Sequence, residues 1–354
     1  MNPKGLPLVR RATRVGFAIL IALTAGAADA VRAEPILWYD FDNTIDPARN
    51  LGTLGVGWDG DLINEAHYTA FGPGFAVAFD GNSDWVLPLG SESAFDIGNG
   101  DFTIFTRMQT TLLETGCGTA ERGLVWKEKT GVMPGYTFGA IKDSGLPRLT
   151  LADGAASVMA VGSIPVNDGV PHDLHAVRRG DALLVFEDGR LTALARVPLS
   201  FGSTNNDNRL VIGGRTINAA GCSFQDDFNG LVDEVRIHAE AVIPSCSSAP
   251  HDYIVMHGQP DLISWCVPEA VPAFDVVRGD LASLSATAGD YSLATEACLA
   301  AAQGDPWLES SSAPPPGSGF WYLVRDTAGT YDTGEPSQIG SRDVEIAASG
   351  HDCP

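Results

Sequence analysis

The sequence predicts an all-β protein built as two sandwich-like parts, and three observations carry that prediction. Short alternating or apolar segments recur along the chain, at 102–108, 136–141, 148–151, 183–186 and 209–212. Between them stand Asn99-Gly100, Asp153-Gly154, Asp168-Gly169 and Asp188-Gly189, pairs that accept the positive-φ conformations of tight turns. No long stretch carries a helical apolar period, and the chain is rich in Gly. Many short strands at this spacing read as a sandwich.

The N-terminal segment stands apart from this pattern. Lys4, Arg10, Arg11 and Arg14 precede an almost wholly apolar run over 15–28, and small residues follow in Ala28-Asp29-Ala30 and Val31-Arg32-Ala33. This is the layout of a secretory signal peptide over residues 1–33, and the run is short for a membrane span. The expectation is a secreted protein, extracellular, periplasmic or at the cell surface. Removing residues 1–33 takes five basic residues and one acid from the chain's 22 and 44, leaving 17 against 43, a balance of −26. Only Lys127, Lys129 and Lys142 remain as lysines. So acidic a surface repels nucleic acid, heparin-like glycans and anionic membranes, and it suits neutral ligands, divalent cations or basic partners.

The remaining 320 or so residues are long enough for two domains. Pro-Ser-Cys-Ser-Ser-Ala-Pro over 244–250 breaks any regular pattern, which places the domains at 34–245 and 246–354. In the second, strands are expected at 262–265, 274–278 and 320–325, with an exposed Ser/Pro/Gly loop over 310–319. Helix should be scarce; a short one is expected around 295–302, where Ala and Leu cluster. Six cysteines, Cys117, Cys222, Cys246, Cys266, Cys298 and Cys353, lie in the exported part and none forms a CxxC pair. An even count in an oxidising compartment reads as three disulfides among fifteen connectivities. The set Cys117–Cys222, Cys246–Cys266 and Cys298–Cys353 is preferred because it keeps each bridge within a domain.

Five landmarks in the first domain carry a resemblance. They are Leu37-Trp38-Tyr39-Asp40-Phe41-Asp42, Val77-Ala78-Phe79-Asp80-Gly81-Asn82-Ser83-Asp84-Trp85, Gly100-Asp101-Phe102-Thr103-Ile104, the pair His172-Asp173-Leu174-His175-Ala176-Val177 and Leu184-Val185-Phe186-Glu187-Asp188-Gly189, and Phe228-Asn229-Gly230-Leu231-Val232-Asp233-Glu234-Val235-Arg236-Ile237. In this order, over about residues 35–243, they resemble laminin-G-like domains of the concanavalin A-like lectin and glucanase superfamily, with Pro171 where the family usually has Trp. The resemblance implies a jelly-roll β-sandwich. More loosely, Trp265, Phe274-Asp275-Val276-Val277-Arg278 and Tyr322-Leu323-Val324-Arg325 resemble a degenerate fibronectin type III-like module, an immunoglobulin-like β-sandwich.

The family often carries calcium, a hard cation that gathers several carboxylate and carbonyl oxygens. Asp80 and Asp84 on one turn, Asp226, Asp233 and, further off, Asp42 are the metal candidates; against them stands an ordinary Asx turn. Sugar binding needs an aromatic platform beside polar groups. Of Trp58, Tyr68, Trp85 and Trp126, only Trp58 sits in a loop, Val56-Gly57-Trp58-Asp59-Gly60, so it is the ligand-binding candidate and the others read as core.

Catalytic patterns are missing. No E-x-D-x-x-E strand, G-x-S-x-G elbow, HExxH or phosphate loop occurs. Asp233 and Glu234 are adjacent, so on a regular strand they face opposite sides. His172 and His175 are likewise expected on opposite faces, against a zinc site. Two Arg-Gly-Asp tripeptides, 179–181 and 278–280, fall where strands hand over to turns. The expectation is a secreted binding protein, not an enzyme, that takes carbohydrate or an extracellular protein with calcium as a candidate cofactor. Its rivals are a glycoside hydrolase of the same superfamily and a structural adhesion or matrix component.

Overall fold

The computed structural model describes residues 34–111, 121–128, 133–215, 227–245, 254–256, 262–265, 273–310, 312–314, 316–334, 336 and 338–354. The expected signal segment, Asp226, Cys117, Cys222, Cys246 and Cys266 lie outside them, and with them two of the three expected disulfides. In chain order the strands are β1 (Leu37–Tyr39), β2 (Gly60–Ile63), β3 (His67–Phe71), β4 (Gly74–Asp80), β5 (Trp85–Pro88), β6 (Phe102–Gln109) and β7 (Glu121–Glu128). Then follow β8 (Gly135–Ile141), β9 (Pro147–Ala152), β10 (Ser157–Val161), β11 (His172–Arg179), β12 (Ala182–Glu187), β13 (Arg190–Arg196), β14 (Val211–Ile212) and β15 (Asn229–His238). The C-terminal part holds β16 (Ile254–Met256), β17 (Leu262–Trp265), β18 (Phe274–Asp280), β19 (Thr295–Gln303), β20 (Trp307–Glu309) and β21 (Phe320–Asp326). Three short helices join them: α1 (Leu281–Ala286), α2 (Tyr291–Ala294) and α3 (Arg342–Ser349).

The first fifteen strands form two antiparallel sheets, as expected. One runs β13-β12-β11-β6-β15-β4-β3, with β1 also paired to β15, and the other runs β10-β9-β8-β7-β14-β5-β2. Alternation explains which residues they share. In β6, Phe102, Ile104 and Met108 point into the common core, whereas Thr103, Phe105 and Arg107 point out. Leu174, Leu183 and Val185 from the first sheet meet Leu124, Phe138, Leu149 and Leu151 from the second in one fully buried cluster. Each such side chain contributes roughly 1.5–3 kcal/mol by leaving water. Lys127, one of three lysines beyond the signal segment, is also buried; its ammonium donates to Asp96 at 2.5 Å and to the Asn206 carbonyl at 3.0 Å. Burial of that charge is tolerated because it is paired.

The C-terminal part is β-rich, with β16-β17-β20 and β19-β18-β21 as antiparallel sheets. The strands expected at 262–265, 274–278 and 320–325 are β17, β18 and β21. The helix expected around 295–302 is instead strand β19, paired along β18 from Thr295 to Gln303. Cross-strand pairing and the Cys298–Cys353 disulfide outweigh the modest helix propensity of Ala and Leu. That disulfide is the third expected bridge. Helices form where caps exist: Asp280, Asp290 and Ser341 accept N–H bonds from Ser283, Ser292 and Val344.

The outer face of the first sheet is partly covered by this C-terminal part. Leu262 and Trp307 pack on Val177, Ala182, Leu184, Phe186 and Leu191. Ion pairs Arg179–Asp305 (2.7 Å), Arg196–Glu309 (2.7 Å) and Arg196–Asp181 (2.9 Å) border the seam. The first Arg-Gly-Asp tripeptide therefore spends both charges inside the molecule. In the second, Arg278 lies 4.1 Å from the Phe320 ring centroid and Asp280 caps α1.

Candidate functional site

The uncovered part of the same sheet face carries an ordered set of side chains. Where β15, β6 and β11 lie side by side, Asp233 stands opposite Arg107 and Arg107 opposite Asp173. One step along the strands, Trp38, Arg236, Phe105 and His175 form a second row across β1, β15, β6 and β11. Directly opposed residues share a face, so both rows point outward together.

A bulge makes this alignment. The pairing of β15 with β6 gains one residue between Asp233 and Arg236, and Glu234 takes φ +52°. The expectation that Asp233 and Glu234 face opposite sides is thereby corrected: both line one cleft. Strict alternation holds only where the strand is regular. Glu234 is fixed there, accepting the Trp38 indole N–H at 2.9 Å and an Arg236 N–H at 2.5 Å. The Arg236 guanidinium lies 4.7 Å from the Trp38 ring centroid and 5.1 Å from that of Phe105.

The cleft encloses about 370 Å³ between Arg107, Asp233 and Glu234, the β3–β4 turn Phe71-Gly72-Pro73-Gly74 and Pro171, with Asp42, Asp173 and Asp188 on its walls. A Cβ at Gly74 would lie 2.0 Å from the Asp42 carboxylate, which would have to move off the Phe75 N–H that it accepts at 2.9 Å. Arg107 grips Asp173 through two parallel bonds of 2.7 and 3.0 Å. Asp188, in the β12–β13 turn, accepts the Asp173 N–H at 2.9 Å and faces His172 Nδ1 at 2.9 Å. Asp168 meets the other ring nitrogen at 3.1 Å.

Charge in this cleft is largely internally matched. Asp173 is paired with Arg107, Glu234 with Arg236, and Asp188 with His172. Burial pushes the Asp233 carboxyl up to about 7, reinforced by the charges of Glu234 and Asp42, although the Glu234 N–H and Arg107 favour its ionised form. Burial acts against protonated His172, yet Asp188 and Asp168 outweigh it and hold the ring above its ordinary pKa.

Of the metal candidates, Asp226 lies outside the described residues, and Asp80 and Asp84 are not brought together with Asp233. Asp80 and Asp84 sit in the β4–β5 turn, whereas Asp233 lies four residues along β15 from Asn229, the partner of Asp80. Both Asp84 oxygens accept backbone N–H groups, from Glu65 at 2.8 Å and Asp80 at 3.0 Å, and Asp80 accepts from Asn82 at 2.7 Å. Calcium takes six to eight oxygens; here three of the four carboxylate oxygens of Asp80 and Asp84 accept backbone N–H groups that close the turn. Among the described residues no three His, Cys, Asp or Glu side chains gather as a metal site.

Trp58 is also placed elsewhere. Its ring packs edge-on against Phe95 at 5.4 Å and covers Gly90, and its carbonyl accepts the Tyr39 hydroxyl at 2.6 Å. It is a wedge against the core and does not line the cleft. Trp126 is buried, as expected; Trp85, half-buried, donates its indole N–H to Asp227 at 3.0 Å. His172 and His175 do not converge, since His175 stacks on Phe105 at 4.6 Å. Sequence reasoning passed over Arg107, Asp173, Asp188, Trp38 and Arg236. All five sit in strands or turns that were recognised, and only cross-strand register joins them.

No protein-family profile matches the chain, and no curated protein does. Solved structures similar to it include the binding domain of Paraclostridial Mosquitocidal Protein 1, at 11% identity and TM-score 0.46, covering 59% of this chain and 49% of that one. Domain 4 of AbnA, a GH43 extracellular arabinanase from Geobacillus stearothermophilus solved with arabinotriose, is 16% identical at TM-score 0.43, covering 59% and 94%. The binding domain of botulinum neurotoxin DC, solved with SialylT, is 11% identical at TM-score 0.41, covering 59% and 48%. The match thus spans about half the length of each toxin domain. At TM-scores below 0.5 these likenesses carry no argument about the site.

Proposed function

We propose that this protein is a secreted carbohydrate-binding module that takes a neutral, hydroxyl-rich glycan in the cleft on the outer face of the first sheet. The observation that carries this reading is a cleft in which three of the five lining acids, Asp173, Asp188 and Glu234, are already paired with cations. Paired carboxylates keep lone pairs for sugar hydroxyls, while little unbalanced charge is left to demand a cation. Half-buried Trp38, in the adjoining row, holds Glu234 on the cleft wall through its indole N–H. The laminin-G-like landmarks agree in position, because they supply β6, the β11–β12 hairpin and β15, which frame the cleft. A calcium requirement is not part of this reading.

Calorimetric titration of the secreted chain tests it, using neutral gluco-, xylo-, manno- and galacto-configured tetrasaccharides, with uronic-acid oligosaccharides as the anionic comparison. At least one neutral sugar should bind, with and without EDTA, and uronic acids should bind more weakly. Arg107→Ala strands Asp173 and should weaken binding about ten-fold or more. Absence of any neutral ligand overturns the reading, and so does loss of binding in EDTA. New reducing ends released from the same sugars would replace it with a hydrolase.

A further inference from the structure

The cleft wall formed by residues 168–173 hangs on one side chain. His172 is buried, with Nδ1 2.9 Å from an Asp188 oxygen and Nε2 3.1 Å from an Asp168 oxygen. Ionised carboxylates only accept hydrogen bonds, so both contacts are bonds only when both ring nitrogens carry protons. We propose that His172 is a positioning residue of the cleft, an imidazolium clamp that holds Pro171, Asp188 and Asp173 in their ligand-binding places. This rests on the carbohydrate reading given above.

The connections run both ways from the ring. Asp168 also accepts the Val170 N–H at 2.8 Å, which closes the turn that presents Pro171. Asp188 also accepts the Asp173 N–H at 2.9 Å, and Asp173 holds Arg107. Loss of one ring proton leaves a nitrogen lone pair facing a carboxylate oxygen, which repels where it had bonded. The wall then loosens on the side that carries Asp173.

Other charged groups surround the clamp. Asp168 and Asp188 contact it, Asp173 follows it and holds Arg107 of β6 on the opposite strand face, and Asp233 lies further off on β15. Buried Glu187, next to Asp188, has its carboxyl pushed up to about 8 by burial. Asp233 and Glu187 titrate in a range that overlaps that of the ring, so a simple pH profile of binding would mix three groups. The ratio of wild-type to His172→Gln affinity, taken with Glu187→Gln in both proteins because the ring's charge acts on that carboxyl, isolates the clamp, since Asp233 is present in both.

The test has two arms. NMR titration of the full chain without ligand should place the His172 ring above the ordinary 6.5. The amides of residues 168–170, 172, 173 and 188 should shift along the same curve. Asp168→Asn, at an exposed position, should lower the ring's midpoint. With the tightest neutral tetrasaccharide, wild type should bind about five-fold better than His172→Gln near pH 6, a lead that closes by about pH 8.5. A constant ratio across pH means a purely steric role and overturns the clamp; so does a ring midpoint at or below 6.5. If no neutral sugar binds wild type, the carbohydrate reading fails on its own. The clamp then stands or falls on whether the amides follow the ring.

Discussion

At Glu187 a carboxyl lies inside the jelly roll, one oxygen accepting the Ile164 N–H at 3.1 Å. Its carboxyl, pushed up to about 8, makes ionisation costly in the folded state. The cost is absent below the unfolded carboxyl's range, grows as pH rises, and is complete above about 8. Glu187→Gln should therefore raise stability at pH 7, by on the order of 1–3 kcal/mol, with no gain near pH 4. Urea unfolding at the two pH values checks this; an equal change at both would mean packing, not charge, decides. His172 has the opposite sign. Its pairing stabilises fully below 6.5 and is lost as pH rises through the raised folded value.

Among the elements, β19 combines a propensity conflict with a covalent solution. Its Ala-rich stretch is held extended by β18 on one side and tied to the C-terminal tail by Cys298–Cys353, 55 residues apart. Closing a loop of that length removes unfolded-state freedom equivalent to about 4 kcal/mol. Cys298→Ala/Cys353→Ala should lower stability by about that much, with the first amide-exchange losses in α3 and β19. Equal loss of protection across β6 and β11 would contradict so local a staple. Strands such as β6, β12, β18 and β21 were legible because apolar alternation and Asx-Gly turns are local signals. The β19 assignment was not, since Ala and Leu suit a helix until a neighbouring strand competes. The cleft was hidden for a related reason: Asp42, Arg107, Asp173 and Asp233 come from distant segments, and the Glu234 bulge breaks the alternation rule on which sequence reading relied.

For the whole molecule, the C-terminal part packs on one face of the first sheet as well as following it. It covers Val177, Leu184, Phe186 and Leu191, and Arg196 reaches from the terminal strand β13 to Glu309. A chain ended at residue 245 would uncover that apolar strip beside the edge strand β13. Such a flat, apolar sheet margin is a template for another copy. The shortened chain should form concentration-dependent assemblies in light scattering while the full chain stays a single species. An equally monodisperse fragment would show that the strip can be tolerated bare. On this view the final hundred residues serve as a built-in guard against self-association, and a strongly negative surface alone would not give that protection.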